Sequence, residues 1–179
     1  MEGTDGAQIV AKETYAANPD KYFYADQYSN DANWQAHYLT TAEEIWTQTK
    51  GKITHFVAGL GTTGTFVGTA RRLKELGNVQ LISLQPDHPF HPLEGWKHLA
   101  TAHRPGIYDD TLADKTLVID SSGVFDMIKS ISIHERLFIS PSGAANLLGA
   151  LEVASQIKEG DIVTTLADTL DRYQEVRKE

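Results

Sequence analysis

Apolar residues along this chain recur in blocks with two spacings. The run Ile53-Thr54-His55-Phe56-Val57-Ala58 is a compact apolar stretch of strand length, and Val79 to Leu84, 116–119 and 161–166 read the same way. Helical patterns lie between them, over 63–76, 121–135 and 143–158, the last with Ser142 placed either as its cap or near a bound ligand. Upstream, Asp5 is placed to cap a helix over 6–17 with Ile9, Val10 and Tyr15 as buried positions, and Asn18-Pro19 stops it. An aromatic strand is expected over 21–25, a turn-rich stretch over 26–33 and a short helix over 34–39. Thr41 with Glu44 three residues later forms a capping box that opens a helix over 42–48, with Ile45 and Trp46 turned inward. At the other end, Thr169 is placed to cap a helix over 170–176, and 173–179 reads as a fraying polar tail.

Apolar strands alternating with helices predict an α/β fold whose parallel sheet is covered on both faces. Ligands in such sheets bind beyond the carboxyl ends of the strands. That rule puts weight on Gly59-Leu60-Gly61-Thr62-Thr63-Gly64-Thr65, which joins a strand to a helix. Its glycines let the backbone turn and approach an anion, its threonines add donors, and the helix N-terminus adds a favourable dipole. Gly59, Gly61 and Gly64 have the Gly-x-Gly-x-x-Gly spacing of dinucleotide sites, but the next strand runs into Gln85-Pro86, where a ribose-binding carboxylate belongs. No Gly-Lys-Ser/Thr follows, so this is no Walker loop. Three readings stay open on the residues alone: a phosphate cradle, an NAD-binding Rossmann turn, and a purely structural tight turn. The irregular stretch 85–114 is too long for a neutral connector and reads as a cover for a site or a surface for a partner.

Composition narrows the classes further. The 179 residues carry 24 acidic and 16 basic side chains, a net charge of −8 with no Lys/Arg cluster, which argues against nucleic acid. Cysteine is absent, so disulfides, thiolate metal sites and cysteine nucleophiles are excluded, and a reducing cytoplasm is compatible. Residues 1–6 have neither the basic nor the apolar region of a signal peptide, and no apolar run reaches the ~18 residues of a membrane span. His88 and His91 form a His-x-x-His pair, but Pro89 and Pro92 break the helix that would align it, so no metal is expected. Trp34, Trp46 and Trp96 read as packing residues, and Arg71-Arg72 as facing solvent or a partner subunit.

Six segments together resemble one family in its own order: 26–33, 37–46, the 59–65 loop, Pro105-Gly106-Ile107-Tyr108-Asp109, Ser142-Gly143-Ala144-Ala145-Asn146-Leu147, and 168–173. The family is the fold-type II pyridoxal-phosphate enzymes, most closely the cysteine synthases (O-acetylserine sulfhydrylases) and their cystathionine β-synthase relatives. The resemblance implies a tryptophan-synthase-β-like parallel α/β domain: 41–179 as the large cofactor domain, 1–40 as the remnant of an N-terminal lobe and crossover, and part of the small domain missing. It implies that Gly61, Thr62, Thr63, Gly64 and Thr65 hold the 5′-phosphate of pyridoxal phosphate and that Gly95 lines the cofactor cleft. It further puts Thr169 beside the pyridine nitrogen and Gln27 near the α-carboxylate of an amino-acid substrate. Leu170 departs from the glycine usual after the hydroxyl residue. No lysine of the chain lies in a segment resembling the family's Schiff-base motif, so no catalytic residue is assigned. The implied activity is β-replacement, an activated serine plus sulfide giving cysteine. Two states are open for this chain: part of such an enzyme, cytoplasmic and homodimeric, or a silent truncated or split-half module that pairs with a complementing N-terminal half.

Overall fold

A computed structural model of the chain describes residues 3–173. Four strands, β1 (Ile53–Gly59), β2 (Gln80–Pro86), β3 (Lys115–Ile119) and β4 (Asp161–Thr164), form one sheet in the order β3-β2-β1-β4, and every pair is parallel. Among the described residues six α-helices accompany them: α1 (Gly3–Ala17), α2 (Ala32–Leu39), α3 (Thr41–Gln48), α4 (Gly64–Leu76), α5 (Val124–His134) and α6 (Pro141–Gln156).

The alternation along β1 explains the two-layered core. Phe56 and Ala58 point to a cluster built with Phe66, Val67, Ala70 and Leu73 of α4, while Val57 points to a cluster containing Ile128 of α5 and Ala144, Ala145 and Val153 of α6. Strand β2 repeats the division, with Leu81 in the first cluster and Ile82 and Leu84 in the second. A strand buried on both sides reads as a mainly apolar run, and 53–58 does so apart from the half-buried Thr54 and His55.

Several local expectations fail for physical reasons. Residues 21–25 form no strand; Phe23 is 90% exposed, and no neighbouring strand offers the segment a ladder. Helix α6 starts at Pro141, because Ser140 rather than Ser142 is its cap: the Ser140 hydroxyl accepts from the Gly143 amide at 3.1 Å, and proline suits the first helical position. The capping box at Thr41 and Glu44 is not made. Thr40 takes the cap position, and the Thr41 hydroxyl is instead 3.0 Å from Nδ1 of His37. Strand β4 ends at Thr164 because the next carbonyl, of Thr165, accepts from the Asn146 side chain. Leu170–Arg172 make one 3-10 turn that ends at Tyr173, short of the helix expected over 170–176, and residues 174–179 lie outside the described residues.

Candidate functional site

The carboxyl ends of β1 and β4 open onto a cavity of about 290 Å³. Its walls are Gly59 and Gly61 to Thr63 with Thr65, Glu94 to Trp96 from the long loop, Ser142 and Asn146 of α6, and the segment after β4 with Thr165, Asp168 and Tyr173. Helices α4 and α6 both begin at this cavity, so two helix N-termini converge on it. A larger groove of about 580 Å³ runs between α2 and α4, but of its charged groups Arg71 lies over Trp34 and pairs with Asp109, and Glu75 takes Tyr38 and Arg72, which leaves no set of donors converging in it. Convergent donors, not volume, mark the smaller cavity as the site.

Side chains from α2 hold the loop in shape. Asn33 and His37 are four residues apart on that helix and so share a face. Nδ2 of Asn33 donates to the Thr62 hydroxyl at 3.1 Å and to the Gln27 carbonyl at 2.6 Å, and Nε2 of His37 lies 3.2 Å from the Thr65 hydroxyl. Burial lowers the pKa of His37 from its ordinary value, which favours a neutral ring bridging the hydroxyls of Thr41 and Thr65. On the opposite side the buried Asn146 accepts from the Gly59 amide at 2.8 Å and donates to the Thr165 carbonyl at 2.8 Å, tying the ends of β1 and β4 together.

The backbone of the loop is shaped for close approach. A side chain at Gly61 would put Cβ 2.0 Å from the Gly95 carbonyl oxygen, and one at Gly64 would put it 1.9 Å from Oδ1 of Asn33. Thr63 adopts φ +73°, a left-handed conformation costly for a β-branched residue. Its hydroxyl is buried and has no partner among the described residues, and the amides of Gly61, Thr62 and Thr63 meet no acceptor among them either. Strain and an orphaned buried donor at one residue of a cavity wall are the features of a ligand clamp. The donor set is neutral and dense, which suits a phosphate: three amides, a free hydroxyl and a helix N-terminus.

Of the residues singled out in the sequence, Gly61, Thr62, Thr63, Thr65 and Gly95 line this cavity together. Gly64 starts α4 and packs on Asn33. Gln27 does not line the cavity; it borders a separate groove beside α1 with Gln8 and Tyr24, and only its carbonyl is linked to the loop, through Asn33. Thr169 follows the cavity-lining Asp168, pairs with Ile139 as an isolated antiparallel bridge and donates its hydroxyl to Asp171. Trp96, read as a packing residue, forms part of the cavity wall. Sequence reasoning gave no role to Asn33, His37 or Asn146. All three lie in the segments that carry the resemblance, but an amide that holds a turn 29 residues away, as Asn33 does, leaves no local signature.

Comparison with known proteins supplies the context. Residues 2–168 match the family model described as pyridoxal-phosphate dependent enzyme. The chain is 42% identical over 178 residues to a cysteine synthase of Aquifex aeolicus, covering 97% of this chain and 54% of that protein. It is 35% identical over 173 residues to cysteine synthase B of Escherichia coli, covering 96% and 56%. The fold superposes on O-acetylserine sulfhydrylase isoform 3 of Entamoeba histolytica with a TM-score of 0.87 at 26% identity, over 97% of this chain and 55% of that one. The chain thus spans about half the length of the curated relatives it matches.

Proposed function

Because this chain belongs to the family of pyridoxal-phosphate dependent enzymes, we propose that the 59–65 cavity is the phosphate end of a cysteine-synthase-like cofactor site. The observation that supports this most directly is the buried, unpartnered hydroxyl of Thr63 in a loop whose glycines at 61 and 64 pack directly on the Gly95 carbonyl and the Asn33 side chain. Gly61 to Thr65 would hold the phosphate with amides and hydroxyls, Gly95 would border the ring's cleft, and Thr169 would face the pyridine nitrogen. When bound, the cofactor supplies an electron sink for chemistry at the α- and β-carbons of an amino acid. The residues of this chain would bind and orient it: the neutral His37 and Asn33 fix the threonines, and Trp96 and Tyr173 form part of the cavity wall.

The reaction proposed for the complete site is β-replacement, with an activated serine and sulfide giving cysteine, and Gln27, which borders the separate groove beside α1, is proposed for the substrate carboxylate. Among the described residues no lysine lines the cavity, so the amine that bonds the cofactor and moves the α-proton is proposed to come from a complementing half. Family membership favours pyridoxal phosphate over the dinucleotide reading of the same glycines.

The test is a comparison of ligands on the isolated chain by equilibrium dialysis. Pyridoxal phosphate and inorganic phosphate should bind competitively, and pyridoxal, which lacks the phosphate, should not bind. Borohydride should trap no covalent adduct until a lysine-bearing N-terminal half is co-expressed. Equal affinity for pyridoxal would overturn the phosphate reading, as would NAD binding without any response to pyridoxal phosphate.

A further inference from the structure

Lys97 is buried, with 7% of its side chain exposed, and sits in the irregular segment between β2 and β3 rather than in any motif of the loop. Its ammonium lies 2.5 Å from Oδ1 of Asp5 in the first turn of α1 and 5.1 Å from the centre of the Tyr28 ring, next to Gln27. Its backbone amide donates at 2.8 Å to the carbonyl of Leu60, inside the phosphate loop. One residue therefore touches three parts of the fold that are remote in sequence. Its neighbours strengthen the link on both sides. The Gly95 carbonyl occupies the space beside Gly61, and the Trp96 ring occupies the space a side chain at Gly59 would need. Oδ2 of Asp5 accepts from the His103 amide at 3.0 Å, and the Tyr28 carbonyl accepts from Ile107 at 3.2 Å, so the long segment is held to α1 and to the 27–28 turn at further points. A second polar cavity of about 200 Å³, lined by Asp5, Tyr28, Lys97 and His98, shares the Gly95–Trp96 wall with the phosphate cavity.

We infer that Lys97 is a positioning residue that couples the anchoring of α1 and of the Gln27–Tyr28 turn to the geometry of the phosphate loop. An isolated ammonium at this depth is costly, so Lys97 stays with Asp5, and a shift of α1 moves the wall that Gly95 and Trp96 present to the loop. The chain of contacts is contiguous: Asp5 to Lys97, then Gly95–Trp96 and Leu60, then the cradle. A purely structural role would confine the effect to α1. The inference concerns the linkage; its consequence for a ligand rests on the proposed phosphate site.

Amide hydrogen exchange on the full chain separates these possibilities. The variants are Asp5→Asn, which removes the charge from a side chain 37% exposed and is nearly isosteric, Asp5→Glu as the conservative rescue, and Lys97→Met. Without ligand, Asp5→Asn should speed exchange of the Leu60 and Lys97 amides about fivefold or more, the low end of typical coupling between sites. The central amides of β2 should be unchanged, and Asp5→Glu should restore most of the protection. The Kd for pyridoxal phosphate should rise by a similar factor in Asp5→Asn and in Lys97→Met. Faster exchange in α1 with unchanged Leu60 and Lys97 amides would overturn the linkage while leaving the site reading intact. A response of those amides in a protein that binds no pyridoxal phosphate would uphold the linkage and sink the proposed ligand.

Discussion

Replacing Asn146 by alanine tests whether the cavity is held open by one buried amide. The residue is 4% exposed; its side-chain oxygen takes the Gly59 amide at 2.8 Å, and its side-chain nitrogen gives to the Thr165 carbonyl at 2.8 Å and the Thr165 hydroxyl at 3.3 Å. Alanine leaves the Gly59 N–H and the Thr165 C=O without partners at the ends of adjacent strands. Each orphaned buried group costs ~1–3 kcal/mol, and because both face a cavity that water enters, the lower half of that range applies, for a total of about 2–4 kcal/mol. With a urea m-value of about 2 kcal/mol/M, the unfolding midpoint falls by about 1–2 M. Urea titrations followed by tryptophan fluorescence and by circular dichroism give the midpoint and check that m is unchanged. Asn146→Asp is the diagnostic control. At neutral pH its carboxylate accepts from Gly59 but opposes the Thr165 carbonyl, so it should be no more stable than alanine; protonation at low pH restores a donor and part of the loss. A midpoint shift below ~0.3 M for Asn146→Ala would refute the reasoning, since it would show that these strand ends are held without the bridge.

Three further outcomes follow from the loop and its supports. Thr63→Gly should stabilise the ligand-free protein by about 1 kcal/mol, because relief of the left-handed strain exceeds the added chain entropy of glycine, while phosphate binding weakens several-fold; calorimetry reads both, and a destabilised variant would refute the account. Gly61→Ala must push Gly95 back from a 2.0 Å contact, at a cost of ~1–3 kcal/mol, and should abolish measurable phosphate binding in equilibrium dialysis. His37 has a folded pKa lowered by burial from 6.5, so below that value the unfolded chain binds more protons and stability is lost as pH falls; His37→Gln should flatten this part of the decline in urea midpoints between neutral pH and pH ~5.5.

The sheet was legible because a strand buried on both faces is mainly apolar, and 53–58 and 79–84 are, with only Thr54 and His55 interrupting the first and Gln80 and Ser83 the second. The phosphate loop was legible for a similar reason: close approach of backbone requires glycine, and glycine is visible in the chain. Residues 21–25 misled because aromatic content alone suggests a strand, whereas a strand exists only where another offers it a ladder. The caps at Thr41 and Ser142 were misplaced by one and two residues, since neighbouring hydroxyls compete for the same amides and only tertiary contacts, such as His37 with Thr41, decide among them. The supports Asn33, His37 and Asn146 act across 29, 28 and 87 residues. Such links come from the topology that lays α2 beside α4 and α6 beneath β1, and no local pattern encodes them.

The charge distribution around the cavity leads to a prediction that runs against the usual picture of phosphate binding. Among the described residues no Lys or Arg lines the cavity, whereas Glu94 and Asp168 do, and the whole chain carries a net charge of −8. A dianion must therefore be drawn in against the long-range field and held by short-range neutral donors and two helix N-termini. Those two contributions respond differently to salt. Screening weakens the long-range repulsion once the Debye length drops to ~10 Å or less, while amide and hydroxyl donors in direct contact with the anion are barely screened. Raising ionic strength should then leave the Kd for pyridoxal phosphate unchanged or lower it, where a Lys/Arg clamp would release its ligand. Titration in potassium gluconate, whose bulky anion does not compete for the cradle, from about 0.05 to about 0.5 M reads the sign directly. A Kd that rises tenfold over that range would mean that a cation takes part in holding the phosphate, and the neutral cradle would be the wrong description of the site.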